Sequence, residues 1–208
     1  MKGLLLKDWY MMKKYCRYYF FVCIGFTLLS LLSRGNMFFV FYPCLLCGMI
    51  PINLLGYDER SRWAEYVSIL PYTKTQIVSA KYMIGSFTQI AMLIIICIAQ
   101  GVKMGIEGTF ALKEFSVLMM LLLIMASVAS SLTLPFIFKY GVEKGRGAYY
   151  VMIGVVCAGS IIASNLLSDG FPTDTEWNGL LPIMCLAGIG IYALSWYLSI
   201  VFYKKREI

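Results

Sequence analysis

Residues 83–102 read MIGSFTQIAMLIIICIAQGV, an uncharged run held between Lys81 and Lys103. A helix of about 20 predominantly apolar residues, rising 1.5 Å per residue, matches the roughly 30 Å hydrocarbon core of a bilayer. Uncharged runs recur at 18–33, 37–57, 115–138, 148–167 and 180–203. The reading is an all-α integral membrane protein of six transmembrane helices in one domain, 1–208. The first run is the shortest, and Arg34-Gly35-Asn36 turns it into a hairpin with the second. No run alternates polar and apolar residues, which argues against a β-barrel.

Composition agrees. Of 208 residues, 60% are hydrophobic and 14% charged, against about 25% charged in soluble domains. The net charge of +7 is organised by loop. Segments 1–17, 58–82, 139–147 and 204–208 hold 15 of the 18 lysines and arginines, and 34–36, 103–114 and 168–179 hold the other three. The positive-inside rule then places both termini in the cytoplasm, and it accounts for the basic excess without nucleic acid. The first run is expected to be retained, because 17 residues precede it and no small-residue cleavage site follows. A bacterial inner membrane is the default location.

The spans exclude several chemistries. None of the six contains Asp, Glu, Lys or Arg, and the chain has no His. Ion-coupled carriers place ionisable groups in their helices, so a secondary carrier is disfavoured. There is no G-x-x-x-x-G-K-[ST] nucleotide loop and no Ser–His or Cys–His pairing, so no enzyme activity is expected. The seven cysteines lie in or beside spans, away from outside loops, and disulfides are not expected. Cys44 and Cys47 form a C-x-x-C, but a tetrahedral metal site needs further ligands; we read both as packing residues and expect no metal. Asn53, Gln89, Gln100 and Asn165 are the amides within the spans. They are weak candidates for a substrate path, with interhelical hydrogen bonding as the other reading.

The cytoplasmic segments carry more information. In 58–70, Trp63, Tyr66, Val67 and Leu70 fall on one helical stripe, with Asp58 and Glu59 in the expected first turn. Pro71 ends that helix, and Thr73-x-x-Gln76 reads as a capping box opening the next. A continuous helix from Lys74 to Val102 would be about 43 Å long and would project beyond the bilayer. Segment 58–70 is thus a short helix displaced from the membrane, either resting on headgroups or docking a soluble partner. Residues 2–17 form a second amphipathic helix, read as interfacial. Leu4, Leu5, Trp9, Met12, Tyr15 and Cys16 lie on one side, and Lys2, Lys7, Lys13, Lys14 and Arg17 on the other. Asp8 intrudes on the apolar arc.

The stretch Asp58-Glu59-Arg60, Trp63, Leu70-Pro71-Tyr72-Thr73-Lys74, Ile77-Val78 and Lys81-Tyr82 resembles the cytoplasmic loop of ABC-2 type transporter permeases. That family has an acidic residue after span two, a Leu-Pro-x-Thr/Ser-Lys/Arg turn and an Ile-Val-x-x-Lys-Tyr/Phe entry to span three. The resemblance implies a half-transporter without cofactors of its own, paired with an ABC ATPase subunit that binds ATP and Mg. It makes 58–70 a coupling helix, with Asp58, Glu59, Arg60, Arg62, Trp63, Glu65 and Tyr66 as contacts to that ATPase. Glu143, Lys144 and Arg146, between glycines in 139–147, are a possible second contact, with a plain loop as the other and preferred reading. It also implies a pair of permeases, either two copies or a paralogous heterodimer, and an N-terminal elbow helix. Ser168–Gly179 is shorter than the re-entrant extracellular pair of larger members.

Small residues at i, i+4 in span five (Gly154–Ala158, Gly159–Ala163), and those in spans four and six, suit close helix packing. An uncharged path would favour amphipathic or antimicrobial-type peptides or lipophilic compounds over ions. The acidic outer loop with Asp169, Asp174 and Glu176 could receive cationic cargo. The competing reading is a non-transporting scaffold or sensor whose loop helix docks another partner.

Overall fold

The structure, a computed structural model, describes residues 1–32, 38–108, 112–166 and 174–205. The described residues are helical throughout, with no strand among them. Helix α1 spans Lys2–Tyr15 and meets α2, Arg17–Leu32, at a bend of 65°. Phe38–Gly48 (α3) and Ile50–Arg60 (α4) together cover the second expected span. The ladder breaks at Met49, where Pro51 near the start of α4 lacks the N–H that would continue it. Trp63–Ser68 (α5) is a short helix leading to Lys74–Ile106 (α6), then Leu112–Tyr140 (α7), Val142–Leu166 (α8) and Asp174–Lys205 (α9).

The start of α6 follows the sequence closely. The N–H of Gln76 donates to Oγ1 of Thr73, and the N–H of Thr73 donates to Oε1 of Gln76, both at 3.3 Å. From this box the helix runs 33 residues, about 50 Å at 1.5 Å per residue. That length exceeds the roughly 30 Å hydrocarbon core of a bilayer.

Among the described residues, four segments are long and apolar enough to cross a membrane: Phe38–Arg60, Lys74–Ile106, Leu112–Tyr140 and Pro182–Lys205. The bent pair α1 and α2 makes a fifth if counted as one. Six spans were expected, so the structure gives four to five candidate crossings. Two helices make the difference. α2 has 16 residues, short of the roughly 20 that a crossing needs. α8 has an uncharged stretch, 148–165, long enough to cross, but the side chains of several of its residues lie outside those described, so it is not among the four or five. The Arg34-Gly35-Asn36 turn and the outer-loop acid Asp169 lie outside the described residues, and of Gly159 and Ala163 only the backbone is described. The side chains of Asn165, Asp174 and Glu176 also lie outside them.

Helix α7 is the hub, packing on α9, α8, α3 and α6. Because lipid tails are as apolar as leucine, these helices associate through close packing and interhelical hydrogen bonds. Gln89 Nε2 donates to the Ala126 carbonyl at 3.0 Å and to Ser130 Oγ at 2.8 Å. The hydroxyl of Tyr82 meets Ser195 and Ser199 of α9 at 2.8 and 2.7 Å. Exposed Phe21, Ile24 and Leu28 on α2, Phe87 and Ile94 on α6, and Leu186 and Leu194 on α9 form the outer apolar surface.

Glycines divide by contact. A Cβ on Gly145 would overlap Ile137 of α7, whereas Gly147 and Gly154 face open space. Small residues on α7 such as Ala126, Ala129 and Ser130 are buried, but Gly154 and Ala158 on α8 are exposed, and a Cβ on Gly154 would meet nothing among the described residues. Gly145→Ala is expected to cost about 1–3 kcal/mol by overpacking, and Gly147→Ala nothing comparable. Unfolding in detergent measures both.

Candidate functional site

The end of the bundle that carries α1 and the C-terminus of α9 also holds the α4–α5–α6 connection and the α7–α8 turn. A cleft of about 650 Å³ opens there, floored by Leu55, Ile77, Ile137, Phe138 and Tyr203. Asp58, Glu59, Arg62, Trp63 and Glu65 line it from one side, and Glu143 and Lys144 from the other. Two groups of residues selected separately in the sequence thus share one cavity. Arg60, Tyr66 and Arg146 do not line it.

Segment 58–70 is not one helix. Asp58, Glu59 and Arg60 form the last turn of α4, where the first turn of a loop helix was expected. The chain then turns a corner at Arg62, whose φ of 50° is left-handed. Such a conformation costs a non-glycine residue of order 1 kcal/mol or more, and it separates α5 from α4. The expected stripe also splits. Val67 is buried, and Trp63 and Leu70 pack beside it against Leu4, Ile77 and Phe138. Tyr66 (57% exposed) and Ile69 (82% exposed) point away.

Beneath the cleft sits a closed charge cluster that the sequence reading did not assemble. Lys81 Nζ, at the foot of α6, lies 2.7 Å from Asp8 Oδ1 and 2.6 Å from Asp58 Oδ2. Lys7 Nζ lies 2.6 Å from Asp58 Oδ1 and 3.4 Å from Asp8 Oδ1. The side chains of Lys81 and Asp8 are 3% and 2% exposed. Isolated buried charges are expensive, and two acids alternating with two bases leave each ion paired. The cluster ties α1, α4 and α6 together. Through Lys7, whose Nζ lies 4.0 Å from the Trp63 ring centroid, it reaches α5. Helix α1 was expected to keep Lys7 on its polar face at the membrane interface. Instead its buried line is Leu4, Asp8 and Met12, with Lys7 turned into the cluster.

Glu59 serves the opposite wall. Both its carboxylate oxygens accept the N–H of Val142 at 3.3 Å, an anion at the amino end of α8 where the helix dipole favours it. Gly141, with φ of 90°, makes the turn before it. Arg146, expected as a second partner contact, faces inward instead and donates from Nη2 to Asn53 Oδ1 at 3.3 Å.

The weak path candidates do not converge. Asn53 is taken by Arg146, Gln89 by α7, and Gln100 Nε2 donates to Ser30 Oγ at 3.0 Å. Cys44 and Cys47 are buried, Cys47 with its sulfur 3.8 Å from that of Cys23 and Cys44 against the Leu122 carbonyl at 3.7 Å. No cluster of ligands able to hold a metal occurs among the described residues.

In comparison with known proteins, a family model described as ABC-2 family transporter protein aligns with residues 3–204. No curated protein and no solved structure matches.

Proposed function

The chain belongs to the ABC-2 transporter family, and from this premise we propose that it is the membrane permease subunit of an ATP-driven exporter. The multi-pass helices supply the passage, and a separate ABC ATPase subunit binds ATP and Mg. In this reading six segments cross the cell membrane and both termini are cytoplasmic, following the distribution of lysine and arginine. The cleft end then faces the ATPase.

The observation that carries the proposal is the pair Tyr66 and Ile69. They are large, apolar and exposed, yet they lie between charged segments, away from the lipid-facing surfaces of the spans. An apolar knob in water on a structured helix is a recognition surface. The neighbouring cleft, with Asp58, Glu59, Arg62 and Glu65 on one side and Glu143 and Lys144 on the other, presents charge of both signs. Movement of α5 on ATP binding would reach α1, α4 and α6 through Lys7, Asp58 and Lys81.

A permease of this kind works in pairs, as two copies or with a paralogue. The spans offer no ionisable lining, which suits amphipathic or antimicrobial-type peptides or lipophilic compounds moving outward, cationic ones being received by the acidic 168–179 segment. Purification of the chain from its native host in mild detergent, followed by mass spectrometry, tests the assignment. A stoichiometric P-loop ATPase is expected. A partner without nucleotide-binding motifs would identify a membrane scaffold or sensor instead.

A further inference from the structure

Among the described residues, two buried side-chain donors have no acceptor, Nδ2 of Asn53 and Nε of Arg146. They belong to one contact between α4 and α8. The Asn53 amide oxygen takes one N–H of the guanidinium at 3.3 Å, and the group lies across Gly56, where a Cβ would stand 2.9 Å from Nη2. Guanidinium stays charged at any physiological pH and presents five donors and no acceptor. An amide oxygen neutralises none of that charge, and no carboxylate pairs with Arg146 among the described residues. Buried donors without acceptors are rare enough to call for a missing group.

The position says what that group is. Arg146 sits in the second turn of α8, between the buried line Val142, Gly145 and Tyr149 and the exposed Gly147 and Tyr150, and is itself partly exposed. One turn further, Val151 is 67% exposed and begins the apolar outer face. Tyrosines mark the headgroup level of a bilayer, so Arg146 lies at phosphate depth. The amino end of α8 adds partial positive charge, part of it already answered by Glu59 at the Val142 N–H.

We propose that Asn53 and Arg146 form a phosphate site where α4 meets α8, the planar fork of the arginine and the amide N–H donating to phosphoryl oxygens. The phosphate is carried by an anionic lipid headgroup of the adjoining leaflet or arrives as a free anion. The inference does not depend on the partner ATPase.

The test is thermal unfolding of the full chain in phosphatidylcholine nanodiscs, with phosphatidylglycerol or inorganic phosphate added in separate arms. Phosphatidylglycerol is expected to raise the wild-type Tm by about 4 °C or more. Most of that rise should vanish in Arg146→Gln, and equally in Asn53→Asp, where the new carboxylate pairs with Arg146 from within. If Arg146→Gln does not fold, Asn53→Asp decides alone, since it adds a partner and removes no packing atom. The same Arg146-dependent rise with inorganic phosphate assigns the free anion; a rise with phosphatidylglycerol alone assigns the lipid. An equal rise in wild type and variants overturns the site, as does equal retention of the two phospholipids by the purified wild-type chain.

Discussion

Lys81→Met is expected to lower the stability of the folded chain by about 3–5 kcal/mol, the cost of leaving a buried ion without its partner. Lys81 bridges Asp8 and Asp58 at 2.7 and 2.6 Å, and its side chain is 3% exposed. Without it two acids share Lys7, which lies 3.4 Å from Asp8 and is 22% exposed. The neutral square becomes a group of net charge −1 in a place water barely reaches. Neutralising the acid that has lost its close partner should reverse most of this. In the double variant Lys81→Met with Asp8→Asn, Asp58 and Lys7 remain as a neutral pair at 2.6 Å, so it should be more stable than Lys81→Met alone. Lys7→Ala should cost less than Lys81→Met, because solvent screens a partly exposed pair. Unfolding of the detergent-solubilised proteins gives all three values. A Lys81→Met protein as stable as wild type, or a double variant weaker than the single, would contradict the cluster.

Tyr66→Asp combined with Ile69→Asp is expected to reduce permease-dependent ATP hydrolysis more than tenfold while leaving the unfolding temperature unchanged. Both side chains are exposed, and the ring contact of Tyr66 is with Trp63 of its own helix, 5.4 Å between centroids, so the packing between helices does not rest on them. An interface anchor, by contrast, contributes about 2 kcal/mol or more, near thirtyfold in affinity. Val67→Ala supplies the contrast. Val67 is 2% exposed and packed against Leu4 and Val78, so its truncation should act on stability first. Loss of coupling in Tyr66→Asp/Ile69→Asp accompanied by unfolding, or full ATPase stimulation by that variant, would remove the docking role from α5.

The parts of this fold that were legible in the sequence are those set by neighbouring residues. The uncharged run 83–102 marks α6, and Thr73 and Gln76 cap it, all within a few positions. The charge cluster was hidden because its members stand 51 and 73 residues apart, and pairing at that range is tertiary. One signal was present: Asp8 on the apolar arc of α1, a carboxylate with no reason to face inward unless a cation waits there. Lys81 carries the same signal, on the buried line with Ile77, Val78 and Ile84. Arg62 gave no warning. A left-handed corner favours glycine or asparagine, so the periodicity of 58–70 read through it as one helix. Arg146 looked like a plain loop charge, because nothing local shows that Gly56 leaves room for it on α4.

The central claim is that α5 is where a separate ATPase grips this permease. A photo-crosslinking amino acid at position 66, introduced in the native host and irradiated in intact membranes, tests it directly. The account predicts an adduct between the chain and a P-loop ATPase, absent when the same group is placed at Leu28 on the outer face of α2. Adducts at position 66 with lipid alone, or with no nucleotide-binding protein, would contradict it.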